Sequence, residues 1–284
     1  MATNSTPTAR RRRLGAELRK LRERAGITAT EAAVLLGGNQ ARISNIEAGR
    51  YGVSADRVRA LSRHYACTDR GLVEALAAMT GERRGGWWEE YRGDLPGNLL
   101  DLAELEHHGT ALRTATICTV PDLLQTVDHA REVHTRGVPE LTPPEAERRL
   151  SFRIRRQDLV FRAEAVPYRA IVHEAALRMG LGGPRVAGAQ LRHLLAMSER
   201  ETVSLRVIPF AAGGHPGAGQ PITYVQGSVA QLDTVHLEQA HGLAQLDAEP
   251  LLRTYRQLLD RLESLALDVR ATRDLLHTVA TTGV

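Results

Sequence analysis

Residues 26–65 read GITATEAAVLLGGNQARISNIEAGRYGVSADRVRALSRHY, and this stretch decides how the N-terminal part of the chain folds. Thr28 stands three residues before Glu31, the spacing at which a hydroxyl and a carboxylate cap each other's backbone N–H groups at a helix start. Ala32, Ala33, Leu35 and Leu36 give that helix an apolar face. Gly37 and Gly38 then supply a turn, Asn39 caps the next helix, and Ile43 and Ile46 fall on one side of it. Two short helices joined by a glycine-bearing turn make a helix-turn-helix, whose second member lies in the major groove of DNA. Gln40, Ala41, Ser44 and Asn45 are placed on its exposed N-terminal face. The amides of Gln40 and Asn45 suit adenine, the Ser44 hydroxyl donates or accepts, and the Ala41 methyl suits the methyl of thymine. Arg42 and Arg50 are the expected phosphate contacts, giving affinity rather than sequence preference.

Working outward, Leu14, Leu18, Leu21 and Ala25 repeat at helical spacing until Gly26. Downstream, Ser54 is placed to cap a fourth helix carrying Val58, Leu61 and Tyr65, and Asp69 a fifth carrying Leu72, Leu76 and Met79. The expectation is an all-α, five-helix DNA-binding domain over residues 14–80, preceded by a flexible basic tail, residues 1–13. In that tail Arg10 to Arg13 are candidates for phosphate or minor-groove contact, Arg12 and Arg13 foremost, against the alternative of a solvated tail. Charge supports the division: residues 1–80 hold 14 Lys/Arg against 7 Asp/Glu, the remaining 204 hold 23 against 26. A basic head on a slightly acidic body suits a polyanion-binding module joined to another task.

The segment resembles the lambda-repressor-like, Cro/C1-type helix-turn-helix domains (the XRE family), above all at Ile43-Ser44-Asn45-Ile46-Glu47-Ala48-Gly49. The resemblance implies that Ile43 and Ile46 are core and that Glu47 is structural, paired with a first-helix arginine, Arg19 or Arg22. Ala29 stands where many relatives place a phosphate-touching glutamine, and Gly38 where they place a small apolar residue.

Beyond residues 81–86, a glycine-rich hinge, Trp87, Trp88 and Tyr91 are expected to pack as a lid or clasp, with Trp87 and Tyr91 on one helical face. The pattern is helical from Leu99 through Leu112, is interrupted at Cys118, Val120 and Pro121, and resumes from Leu123 to Val133 and from Pro144 to Val160. In the last of these, Arg148, Arg149, Arg153, Arg155 and Arg156 surround an apolar face, as solvated charge and internal salt bridges or as a second phosphate surface. Strand composition marks residues 168–172, 203–208, 222–225 and 235–237, and helices are expected at 174–179, 186–199 and 250–266. The expected fold is an α+β domain, residues 87–280, with a small, mostly antiparallel sheet and a short tail, 281–284. In the last helical stretch Leu258, Leu262, Leu265 and Leu267 suit either a dimer interface or a core.

This second part resembles the DUF5753, or Scr1-type antitoxin-like, family that accompanies such heads in actinobacterial regulators. The likeness rests on Trp87-Trp88, residues 120–126 (VPDLLQT), 155–157 (RRQ), 173–178 (HEAALR), 190–194 (QLRHL) and 207–213 (VIPFAAG). Asp122 stands in place of the family's common glycine and Ile222 in place of its phenylalanine. The resemblance implies a regulator, often encoded beside a small partner protein.

Two cysteines, Cys67 and Cys118, are too few for a disulfide scaffold and suit a reducing cytoplasm. No apolar run follows the N-terminal arginines, and nowhere do 18 uncharged apolar residues run together, so neither a secretory signal nor a membrane span is expected. The loop from Ala211 to Gly219 offers a ligand closure in which His215 hydrogen-bonds, against a plain connector. His173 and Glu174 are adjacent and therefore point apart on a helix, with Arg178 as an ordinary ion-pair partner for Glu174. His107-His108 and His64 with Cys67 lack a metal's ligand set. No nucleophile, base and orienting group form a set, so neither catalysis nor a cofactor is expected. The expected function is a homodimeric transcriptional regulator on double-stranded DNA, modulated by a small cognate protein or a small-molecule effector. Trp87, Trp88, His173 and His215 are the candidate contacts for that partner or effector. The alternatives are an antitoxin-like protein that holds its cognate partner and represses its own gene, and a one-component sensor.

Overall fold

A computed structural model describes residues 7–35, 37–81, 85–162, 164–217, 219–239 and 242–282. The chain divides into two compact units. The first is Met1–Arg92 with Gly97–Leu105, and the second is Gly93–Pro96 with Glu106–Val284. Parts of the expected N-terminal tail, hinge and C-terminal tail, and Leu36 and Ala218, lie outside the described residues.

In the first unit five helices follow the capping residues. Helix α1 (Ala9–Arg24) is capped by Thr8, α3 (Gln40–Glu47) by Asn39, α4 (Ala55–His64) by Ser54 and α5 (Arg70–Ala78) by Asp69. At α2 (Ala29–Leu35) Glu31 N–H donates to Thr28 Oγ1 at 3.2 Å and Thr28 N–H donates to Glu31 Oε2 at 2.7 Å, a reciprocal box. Leu14, Leu18 and Leu21 of α1, Ile43 and Ile46 of α3, and Val58 and Leu61 of α4 are buried together with Leu72 and Leu76 of α5. Each such side chain contributes roughly 1.5–3 kcal/mol on burial. Ala32 and Ala33 are the buried residues of α2, whereas Leu35 is exposed rather than part of its apolar face.

The tail expectation is corrected at its inner end, because α1 begins at Ala9 and takes Arg10 to Arg13 into its first turns. Asp101, 92 residues away, accepts from Ala9 N–H at 2.8 Å and pairs with Arg12 at 3.0 Å, placing a carboxylate on the positive end of the helix. Arg13 pairs with Glu17 at 2.9 Å, both side chains mostly enclosed. Trp87–Tyr91 forms one 3-10 turn, with Trp87 meeting Trp88 and Tyr91 edge-on. Helix α6 (Gly97–His108) follows and gives its residues up to Leu105 to this unit.

The second unit is built on a six-stranded sheet: β1 (Ala111–Thr116), β2 (Tyr168–His173), β3 (Val203–Ile208), β4 (Ile222–Gln226), β5 (Thr234–Gln239) and β6 (Gly242–Leu246). Its order is β3-β2-β1-β4-β5-β6. The β1–β2 and β2–β3 pairs are parallel, and β1–β4, β4–β5 and β5–β6 are antiparallel, so the sheet is mixed with an antiparallel majority. Around it stand α7 (Val127–Thr135), α8 (Pro143–Phe161), α9 (Glu174–Arg178), α10 (Gly183–Ser198), α11 (Glu249–Leu265) and α12 (Val269–Thr282).

One sheet face carries Ala115, Ile171, Ile208, Ile222, Tyr224, Val235 and Leu237, packed on Leu252, Leu259 and Leu262 of α11. Leu258 and Leu265 join the same cluster. Of the two uses open to this leucine face, the core is the one observed. Three elements escape the sequence patterns: β1 lies partly inside the stretch expected to be helical, β6 falls where no strand is expected, and α12 follows the last expected helix. Helix α12 closes the β3 edge, where Leu267 N–H donates to Val207 O at 2.9 Å and Val207 N–H to Thr272 Oγ1 at 3.1 Å.

Candidate nucleic-acid interface

Helix α3 is held from beneath and open above. Ile43 and Ile46 are buried, while Gln40, Ala41, Arg42 and Ser44 are exposed and Asn45 is half-exposed. Asn39 Oδ1 accepts Arg42 N–H at 3.0 Å, so the first turn keeps its helical geometry without using the Gln40 or Ser44 side chains.

The lower side is locked by charge. Arg22 donates from Nε to Glu47 Oε1 at 2.6 Å and from Nη2 to Oε2 at 2.9 Å, a bidentate fork from α1 to α3. Its Nη1 donates to Ile27 O at 2.8 Å and so ties in the α1–α2 connection. Hydrogen bonding to Glu47 raises the Arg22 pKa. Nearby Tyr65 is buried, and burial pushes its hydroxyl up to about 12. Arg19, named with Arg22 as a partner for Glu47, is corrected: it lies on the solvent side of α1 and pairs with Glu23 at 2.6 Å. Three residues along a helix leave two side chains about 60° apart around its axis, and that offset brings Arg22 rather than Arg19 against α3.

Two glycines let the backbones meet. A Cβ at Gly15 would lie 2.4 Å from Glu47 O. Gly49 has φ +72° and ends α3, and a Cβ there would sit 2.8 Å from Arg12 N. Past Gly49, Arg50 N–H and Tyr51 N–H both donate to Asn45 O at 2.9 and 3.2 Å. Arg50 Nη1 also reaches Asn45 Oδ1 at 3.5 Å. This link between the Arg50 and Asn45 side chains has no signature in the sequence, because it depends on the turn after α3. The result is a platform with two amides, a hydroxyl and a methyl at one surface, flanked by exposed Arg42 and Arg50.

The four candidate effector residues separate. Trp87 and Trp88 belong to the first unit, His173 and His215 to the second. His173 and His215 do come together, ring centres 6.3 Å apart, with Phe210 5.2 Å from His173. His173 Nδ1 accepts Ala175 N–H at 3.1 Å and so caps α9. Burial holds His215 below the usual histidine range, with His173 adding to the effect. Glu174 pairs with Arg178 at 2.7 Å and accepts Phe210 N–H at 2.8 Å.

Two of the α8 arginines, Arg153 and Arg156, turn inward to carboxylates, whereas Arg148 and Arg155 stay partly exposed. Arg156 is buried and forks onto Glu106 at 2.9 and 2.7 Å, and its Nη1 reaches Asp122 at 3.1 Å. Burial opposes its charge, yet Glu106 and Asp122 outweigh that and raise its pKa. Arg153 donates to Gln125 at 2.8 Å and pairs with Asp122 at 3.3 Å, and Arg148 pairs with Asp94. Among the described residues no group of three or more His, Cys, Asp or Glu is set to hold a metal, and no helix is long and apolar enough to cross a membrane.

Comparison with known proteins gives two family matches. A helix-turn-helix domain model matches residues 13–76, and the domain of unknown function DUF5753 matches residues 99–278. No curated protein and no solved structure matches the chain. With most of its length in the second match and an N-terminal helix-turn-helix domain of the DNA-binding, regulatory class, the chain belongs to the DUF5753 family.

Proposed function

We propose that the protein is a sequence-specific transcriptional regulator that binds double-stranded DNA as a homodimer through α3. In this reading the second unit alters DNA occupancy in response to a partner protein or a small molecule. The observation that carries it is the exposed surface of α3, rich in base-reading groups and free of apolar bulk, on a helix clamped by the Arg22–Glu47 fork. Gln40, Ala41, Ser44 and Asn45 read base edges, and Arg42 and Arg50 hold phosphates. Arg12 and Arg13 serve this role less directly, since Asp101 and Glu17 already engage them. One short recognition helix reads few base pairs, and two related by a dyad read separated half-sites.

The test is selection of genomic fragments by the purified full-length protein at physiological salt, in competition with random DNA. Enrichment of an inverted repeat is expected. A folded protein that enriches no motif would overturn the reading. With the operator in hand, Gln40→Ala should lose about 5- to 150-fold in operator affinity, with non-specific binding unchanged. Equal losses on both DNAs remove Gln40 from base reading.

A further inference from the structure

The two edges of the sheet are treated differently. At β3 the outward backbone groups of Val207 are taken up by Leu267 and Thr272. At the other edge β6 pairs with β5, and among the described residues no hydrogen bond reaches its outer side. Edge strands are ordinarily protected by charge, proline or a covering element. Residues 242–246, GLAQL, hold neither charge nor proline.

Backbone alternation shows which groups are left over. Glu238 N–H donates to Pro221 O at 3.4 Å, on the β4 side, so the backbone groups of its neighbour Leu237 turn toward β6, where its register partner is Ala244. Gly242, Ala244 and Leu246 therefore spend their backbone groups on β5. Leu243 and Gln245 turn theirs outward.

We infer that β6 is the interface with a second copy of this chain, antiparallel to it about a two-fold axis through Ala244. In this register Leu243 of one copy faces Gln245 of the other, and each pair exchanges two backbone hydrogen bonds. The dyad repeats the exchange, so every outward group of the strand is satisfied. Leu246 falls opposite Gly242 of the second copy, and the Cβ position of Gly242 is open space within its own chain. The uncharged strand brings no like charges together at the axis. The rival dimer face, the leucines of α11, is already committed to the sheet. The inference deepens the dimeric reading above by naming its surface.

The experiment uses the full chain with Cys67→Ser and Cys118→Ser as background. Ala244→Cys places two thiols across a non-hydrogen-bonded pair, Cα atoms about 4.5 Å apart, within the span of a disulfide. Mild oxidation should give a covalent dimer of the same mass as the wild-type dimer measured by light scattering. Gln245→Pro removes an outward N–H and leaves the β5 ladder intact, and it should weaken the dimer about 10-fold or more while the melt of the dissociated monomer, measured well below the dissociation constant, stays unchanged. If Gln245→Pro alters the melt, Gln245→Lys replaces it with the same expectation. A wild-type protein that is monomeric at tens of micromolar would overturn the interface, as would a dimer indifferent to these substitutions or a failure of Ala244→Cys to cross-link. Operator selection is read separately, so a monomer that still enriches one motif overturns this interface and leaves the DNA-binding reading standing.

Discussion

Each unit contains an arginine that forks onto a glutamate from a distant helix, and the two forks are enclosed to different degrees. Arg22–Glu47 in the first unit leaves about a tenth of each side chain exposed, and its remaining Nη1 goes to a backbone carbonyl. Arg156–Glu106 in the second is closed to 6% and 4%, and Arg156 is shared with Asp122. The first fork fixes how a helix is presented. The second sits inside a polar network of Arg153, Gln125 and Gln157, where Gln157 Nε2 donates to Asp122 O and Gln125 O. Loss of a charge is costlier where the survivor cannot reach water.

The largest effect is therefore expected from Arg156→Met, which leaves Glu106 and Asp122 without their shared cation at about 3–5 kcal/mol. Hydrogen exchange should show the second unit opening. Tryptophan emission, which comes from Trp87 and Trp88 in the first unit, should keep its own unfolding midpoint. The double change Arg156→Met with Glu106→Leu should recover part of the loss. A double variant no better than the single one would mean that Glu106 is not the stranded charge.

Gly49→Ala comes next, at roughly 2–3 kcal/mol. It combines a left-handed backbone with a Cβ driven into the start of α1. Here the response should be reversed between units, with the tryptophan midpoint falling and protection of the sheet amides unchanged. Parallel losses in both would show that the two units unfold as one.

Acidification separates the units by a third route. Burial, with Arg153 adding, holds His129 and His134 at about 4, and burial with Arg156 does the same to His236. The unfolded chain takes up protons near pH 6.5, before the folded one does. Stability is thus complete well above pH 6.5 and falls as pH drops toward 4; at pH 5.5 each histidine accounts for about 1.4 kcal/mol, about 4 for the three together, and solvent screening of the partly open sites brings the expected loss to roughly 2–3 kcal/mol. The first unit's histidine, His64, is exposed. Urea unfolding at pH 7.5 and 5.5 should weaken the second unit alone, and a pH-independent second unit would show that these histidines are hydrated or charged in the fold.

The same contrast explains what was legible in the sequence. Capping pairs such as Thr28 with Glu31 are three residues apart, and Asn39, Ser54 and Asp69 act on their own helices, so the first unit could be read locally. In the second unit the deciding partners are remote: Arg156 finds Glu106 across 50 residues. Strand β1 is central, with Leu112 to Thr116 all buried, and a strand covered on both faces loses the alternation that betrays an edge. Strand β6 carries no β-branched or aromatic residue to announce it. On α3 the exposed residues were legible from helical spacing, whereas the Arg50–Asn45 link was not, because a turn rather than a period brings it about.

The smallest effect tests the comparison most directly. Arg22→Lys keeps the charge but replaces a planar fork with a single ammonium, which cannot hold both Glu47 oxygens and Ile27 O at their present angles. About 1 kcal/mol of first-unit stability should go, read from the tryptophan midpoint. Operator affinity should fall with it, because α3 is then less firmly held. Arg156→Lys, the same chemical change in the more enclosed site, should cost more, since Glu106 would lose a donor where water does not replace it. Equal costs for the two lysine variants would show that fork geometry, rather than enclosure, sets the strength of both locks.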